Sequence, residues 1–392
     1  MDRATIGRYI VRISAALMCL GSSATQLQIG SPASVGLSET KLEQAAELLK
    51  SAVQSDGVGA AAILVARSGR IVLHKGFGRL SNSAKALAVQ PNSVFLVASL
   101  TKPVTAASLM LLVERGMVSL SDPVGKYLPD FRGDDRPSVR VRDLLCHVSG
   151  LPDMLPENIE LRRRHAPLAD FVRQAYTTPL LFKPGTKFSY QSTGMLLAGT
   201  IVEKLAGMPL RKFEKREIFD PLGMKDSSLG LGGRQLSRVV EVESEQGSNV
   251  TEDHEFGLNS KYWRDLGAPW GGMHSTTYDL AVFLEAFLEG GVYGSRRIFS
   301  RATVTAMTSD QNAPLNHPWG LGWALGRSTE WNAFGDSVSS RTFGHAGATG
   351  TLMWADPDTK LICIILTNRP YDMDNGRLLR MISNVVANSE QN

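Results

Sequence analysis

Phe95-Leu96-Val97-Ala98-Ser99-Leu100-Thr101-Lys102-Pro103 joins a short apolar run to a long one through a serine and a lysine. An apolar run ends in a serine, a lysine follows three positions later, and Val104 to Val113 is almost all apolar or small. That pattern predicts a buried helix starting at or near Ser99. Three positions along a helix put two side chains on one face, so the Ser99 hydroxyl and the Lys102 amine can meet. Pro103 falls within the first turn, where a missing N–H costs little. A hydroxyl at a helix start also sits beside free backbone N–H groups and the positive dipole end, which suit an oxyanion.

Ser-x-x-Lys by itself decides nothing, because Ser38-Glu39-Thr40-Lys41 matches it as well. There the serine reads as an N-cap opening the amphipathic run Leu42, Ala45, Ala46, Leu49, Val53. Context separates the two copies: Ser99 joins an apolar run to a buried helix, whereas Ser38 precedes a half-exposed one.

Outward from Ser99 the chain alternates in character. Upstream, Gly59 to Ala66 and Ile71 to Lys75 flank the turn Arg67-Ser68-Gly69-Arg70, a β-hairpin signal. Downstream of Gly116, short apolar patches broken by prolines give way to helical patterns over Leu168 to Tyr176, Thr193 to Leu205 and Leu210 to Phe219. Glycine-rich Leu229 to Gly233 and the acidic residues Glu241 to Glu255 read as a solvated loop near the substrate entrance. A helix over Tyr278 to Leu288 takes Ser275 or Thr276 as its cap. Strands are expected over Trp319 to Leu325, Thr342 to His345, Thr351 to Ala355 and Leu361 to Thr367, the last two joined by the turn Asp356-Pro357-Asp358-Thr359. A final amphipathic helix carries Leu378, Leu379, Ile382, Val385 and Val386. Strands near both ends must share one sheet. The expected architecture is α/β plus all-α: an antiparallel sheet flanked by helices, formed by residues 25–115 and 275–392, with a mostly helical domain, 116–274, inserted and the site in the cleft between them.

The 392 residues are 43% hydrophobic and 20% charged with a net charge of +4, enough for a large core and no strong bias toward polyanions. Arg162-Arg163-Arg164-His165 is the tightest basic cluster; without interleaved aromatics it reads as a solvated helix face, and no nucleic-acid partner is expected. Arg3, Arg8 and Arg12 precede a short apolar run, Ile13 to Leu20, and then Gly21-Ser22-Ser23-Ala24. This resembles a secretory signal peptide over 1–24, implying a periplasmic or secreted protein; the alternative is an amphipathic N-terminal extension. No run is long enough to span a bilayer. Without the leader and its Cys19, Cys146 and Cys363 remain, both read as buried free thiols. The histidines lack metal-ligand spacing, so no metal and no cofactor are expected. Oligomeric state is not readable.

Two further pieces bear on Ser99. Tyr190-Gln191-Ser192 follows the turn Lys183-Pro184-Gly185-Thr186 and precedes a helix. His345-Ala346-Gly347-Ala348 ends a strand and opens a glycine-containing turn. Ser-x-x-Lys, then Tyr-x-Ser, then His-x-Gly, in that order, resembles the serine β-lactamase and penicillin-binding-protein superfamily, within it the class C β-lactamase-like group of esterases and D-amino-acid peptidases. Leu144 to Pro152, Pro221 to Met224, Gly271 to Thr276 and Trp319 to Trp323 are similar to that group's recurring segments, so the resemblance covers roughly Val35 to Ala387.

The resemblance implies roles. Ser99 would be the nucleophile forming an acyl-enzyme with an ester or amide substrate, and Lys102 its neutral partner. Tyr190 would shuttle the proton. His345 would polarise Tyr190 or bind a carboxylate or carbonyl, with Ser192 and Gly347 lining the substrate. The N–H groups of Ser99 and Ala348 would form the oxyanion hole. Two departures matter: Ser192 stands where true β-lactamases carry asparagine, and His345-Ala346-Gly347 where they usually carry Lys-Thr-Gly. Both weaken a β-lactam substrate. The expectation is a carboxylesterase; the alternatives are a D-amino-acid or peptidoglycan-peptide peptidase or amidase with weak β-lactamase activity, and a non-catalytic sensor of the same fold.

Overall fold

The computed structural model describes residues 26–55, 57–244, 249–328 and 333–391. The expected leader, 1–24, and Cys19 lie outside them. The strands are β1 (Gln28–Ile29), β2 (Ala60–Arg67), β3 (Arg70–Gly78), β4 (Phe95–Leu96), β5 (Ser228–Leu229), β6 (Met273–Ser275), β7 (Val292–Tyr293), β8 (Arg296–Arg297), β9 (Ala324–Leu325), β10 (Phe343–Gly347), β11 (Thr351–Asp356) and β12 (Leu361–Thr367). The helices are α1 (Glu39–Ser55), α2 (Thr101–Glu114), α3 (Val141–Leu145), α4 (Asn158–Arg163), α5 (Leu168–Thr177), α6 (Thr193–Ala206), α7 (Leu210–Glu214), α8 (Asp220–Leu222), α9 (Val250–Glu255), α10 (Lys261–Leu266), α11 (Thr277–Leu288), α12 (Arg301–Thr308) and α13 (Arg377–Ala387).

The main sheet runs β1-β3-β2-β12-β11-β10-β9. Every pairing is antiparallel except β1 with β3, which is parallel. The sheet is therefore antiparallel, as expected, apart from the two-residue parallel pair at its β1 edge, which makes it mixed. Its strands read as continuous apolar runs because both faces are covered. Successive side chains alternate between two cores. Leu64, Met353, Ile362, Ile364 and Leu366 face one, with α2 and α11. Ile63, Val65, Trp354, Cys363 and Ile365 face the other, with α1 and α13. Each aliphatic side chain so buried contributes about 1.5–3 kcal/mol.

Ser38 caps α1, accepting the Lys41 N–H at 3.3 Å, and Thr276 caps α11, accepting from Asp279 N–H at 3.2 Å. A second small sheet, β4-β6-β5, leads the chain into Ser99. The helices between residues 116 and 274 share one buried cluster with the main sheet, running from Leu64 through Leu144 and Met195 to Leu366. The division into two domains stays a proposal.

Three local expectations need correction. Of Trp319 to Leu325 only Ala324–Leu325 is strand. Gly322, at φ 79, turns the chain, and Gly320 N–H bonds the Trp323 carbonyl at 2.8 Å. The acidic stretch is not simply a solvated loop: Val239, Val240 and Val242 are buried, and Asn249 caps α9. Arg162 is not a solvated face residue, since its guanidinium stacks 4.1 Å from the Trp263 ring centroid. Among the described residues no helix is long and apolar enough to cross a membrane.

Candidate active site

α2 is preceded by a short 3-10 turn, Ala98–Leu100. Ala98 has φ 46, a left-handed conformation that a non-glycine residue keeps only where its surroundings impose it. The imposing groups come from the end of β10. A Cβ on Gly347 would stand 2.2 Å from Thr351 Oγ1 and 2.6 Å from the Val97 carbonyl, so only glycine allows this approach. Thr349 Oγ1 donates to the Leu96 carbonyl at 2.8 Å, and Thr351 Oγ1 to the Val97 carbonyl at 2.9 Å. The β10–β11 turn is thereby stitched to the strand leading to Ser99. Ala348 lies in that turn, exposed, with its carbonyl held by the Tyr371 N–H at 2.8 Å.

Lys102 is fully buried on a helix covered on every face from Thr101 to Leu112. Its Nζ lies 2.9 Å from Ser99 Oγ and donates to the Trp270 carbonyl at 3.0 Å. Burial pulls its pKa down to about 7, against the opposing pull of the Asp153 carboxylate. Near neutral pH a large share of the amine is therefore uncharged, with a lone pair to receive a proton. Ser99 is only partly buried and reachable from outside.

Tyr190 places its ring 4.7 Å from Lys102 Nζ. The ring is half-buried while the hydroxyl is buried. Burial raises the phenol pKa, a hydrogen bond with Ser99 lowers it, and Asp153 raises it again. The net rise keeps Tyr190 a neutral phenol, a proton donor and relay, so of the two groups Lys102 is the one suited to be the base.

His345 is fully buried, and its Nδ1 lies 2.6 Å from the Ala346 carbonyl. That contact requires Nδ1 to be the protonated nitrogen of the neutral ring. Burial, helped by Lys102, lowers its pKa to about 3. Its ring lies 6.0 Å from that of Tyr190. Ser192 immediately precedes α6; its N–H donates to Asp153 Oδ1 at 2.8 Å, and with Met154, Phe171 and Trp270 it lines a small recess.

The structure thus brings Ser99, Lys102, Tyr190 and His345 together, with Gly347, Ala348 and Ser192 bordering them. A hydroxyl touching a part-neutral buried amine and a phenol can attack a carbonyl carbon while losing its proton. Sequence reading missed three participants. Asp153 is exposed and acts electrostatically on both Lys102 and Tyr190. The Trp270 carbonyl fixes the lysine. His147, fully buried, lies 4.7 Å from the Tyr190 ring between centroids. Among the described residues no group of three histidine, cysteine or acidic side chains is placed to hold a metal ion.

Comparison with known proteins agrees with this architecture. A Salmonella agona (strain SL483) protein, named provisionally as a D-alanyl-D-alanine carboxypeptidase, is 29% identical over 376 residues, covering 88% of this chain and 86% of that one. The structure of EstCE1, described as a hydrolase with promiscuous acyltransferase activity, superposes with a TM-score of 0.74 at 21% identity, covering 89% of this chain and 99% of that one. The D-amino acid amidase of Ochrobactrum anthropi SV3 superposes with a TM-score of 0.69 at 22% identity, again covering 89% and 99%. At such identities the two structures share the fold. The model of the Beta-lactamase family matches residues 45–386, most of the sequence, and the chain belongs to that family of serine hydrolases.

Proposed function

We propose that the protein hydrolyses neutral carboxylic esters through an acyl-enzyme on Ser99. Ser99 Oγ attacks the ester carbonyl as its proton passes to neutral Lys102. The Ser99 and Ala348 N–H groups receive the developing oxyanion. Tyr190 gives its proton to the departing alkoxide and is reprotonated from the Lys102 ammonium. Water then enters, and the same groups run the sequence in reverse to free Ser99.

The observation that carries the choice of ester is the uncharged His345. It occupies the position where a lysine would offer a substrate carboxylate a permanent positive charge, and with a pKa near 3 it has none to offer. The exposed Asp153 carboxylate adds a negative field that further disfavours anionic substrates. The same carboxylate favours a second reading, an amidase for amino-acid amides, because it would attract their α-ammonium group. The test is kcat/KM for p-nitrophenyl butyrate, D-alaninamide, D-alanyl-D-alanine and nitrocefin under one condition. Ester turnover should be fastest; faster D-alanyl-D-alanine or nitrocefin turnover would overturn the reading.

A further inference from the structure

We propose that His147 is a positioning residue for the Tyr190 phenol, holding the backbone N–H groups of the residues on either side of it. The inference rests on the ester-hydrolysing reading of the same site. The His147 carbonyl accepts the Ser189 N–H at 2.9 Å, and its imidazole Nδ1 accepts the Gln191 N–H at 3.2 Å. The residues immediately before and after Tyr190 are therefore held by one amino acid from a distant loop. The ring also packs against the face it positions, 4.7 Å from the Tyr190 ring and tilted by 45°.

One residue can make both bonds because its backbone is left-handed, with φ 61. An accepting Nδ1 also fixes the tautomer: the proton is on Nε2, which is buried and has no partner among the described residues. Burial foremost, then Lys102 and His345, hold the His147 pKa well below the usual histidine value, so the Nδ1 lone pair persists. The rest of the loop reinforces the grip. Gln191 Nε2 donates to the Asp143 carbonyl at 3.1 Å, and Ser149 Oγ to Gln191 Oε1 at 2.6 Å.

The step that depends on this clamp is the transfer of the Tyr190 proton to the leaving oxygen as the carbon–oxygen bond of the tetrahedral adduct breaks. p-Nitrophenolate leaves without that proton; an alkoxide does not. Loss of the clamp should therefore be felt by alkyl esters and hardly by p-nitrophenyl esters of the same acid.

The experiment measures kcat/KM for ethyl and p-nitrophenyl butyrate in wild type, His147→Phe, His147→Gly and His147→Asn. Phenylalanine keeps the bulk and loses the acceptor, while glycine loses the acceptor but suits the backbone, so either folded variant suffices. Asparagine keeps an acceptor near Nδ1 and tolerates positive φ. Fluorophosphonate labelling of Ser99, which needs no protonated leaving group, reports whether the nucleophile is intact. The acceptor-less variants should lose about 100-fold on the ethyl ester, stay within about threefold on the p-nitrophenyl ester, and be rescued by asparagine. Equal losses on both esters, or full ethyl-ester activity without the acceptor, would overturn the proposal. If wild type prefers amides, the ester reading fails separately, and the same contrast is read between D-alaninamide and the p-nitrophenyl ester of D-alanine.

Discussion

In the proposed mechanism Lys102 must be uncharged to take the Ser99 proton. With its pKa drawn down to about 7, kcat/KM should rise roughly tenfold per pH unit below 7 and level off above it. Asp153 opposes the burial effect, so removing its charge should move that acid limb to lower pH. Asp153→Asn keeps an oxygen for the Ser192 N–H, which isolates the charge from the hydrogen bond. A pH–rate profile in which the limb stays in place would show that Asp153 does not act on Lys102. The Ser99–Lys102 pair was legible in sequence because three helical positions leave little freedom in where the two groups sit. His147 and Asp153 were not. Their parts depend on bonds to Tyr190's neighbours and to Ser192, across loops whose folding no local pattern announces.

At the scale of elements, α7 brings a buried carboxyl against α2. Glu214 is fully buried and accepts from Thr105 Oγ1 at 3.3 Å, while its Oε2 has no partner among the described residues. Burial pushes its pKa up to about 8. A carboxyl with a folded pKa above its unfolded one stabilises the fold fully below about pH 4.5, and loses that contribution as pH rises toward 8. The loss is at most about 1.4 kcal/mol per pH unit over that window. Glu214→Gln cannot ionise, so its melting temperature should fall less than the wild type's between pH 5 and pH 8. Parallel slopes would mean that Glu214 ionises without penalty. The strands easiest to read, β2, β11 and β12, are covered on both faces and carry unbroken apolar runs. Trp319 to Leu325 misled because two glycines turn an apolar run away from the sheet. The 239–243 segment misled the other way: its alternating valines and glutamates put Val240 and Val242 inside, and the acidic residues drew attention from that period of two.

For the whole molecule, stability comes from two cores on either side of one sheet. Cys146 and Cys363 are both free and buried, and burial raises both thiol pKa values, that of Cys146 to about 12. Dithiothreitol should leave the melting temperature unchanged, and a reductant-dependent drop would reveal a bridge this fold does not contain among its described residues. The order of motifs along the chain conveyed the global fold; the shared core between the main sheet and the helices of 116–274 did not follow from it, since packing across that boundary has no sequence period. The proposed hydrolysis requires Ser99 to carry the acyl group. Wild type and Ser99→Ala should each be mixed with p-nitrophenyl butyrate, quenched in acid within the first turnovers, and weighed intact, with the adduct mapped to its peptide. A butyryl adduct on Ser99 in wild type, and neither adduct nor turnover in Ser99→Ala, is the predicted result; an adduct on another residue, or undiminished turnover by Ser99→Ala, would contradict it.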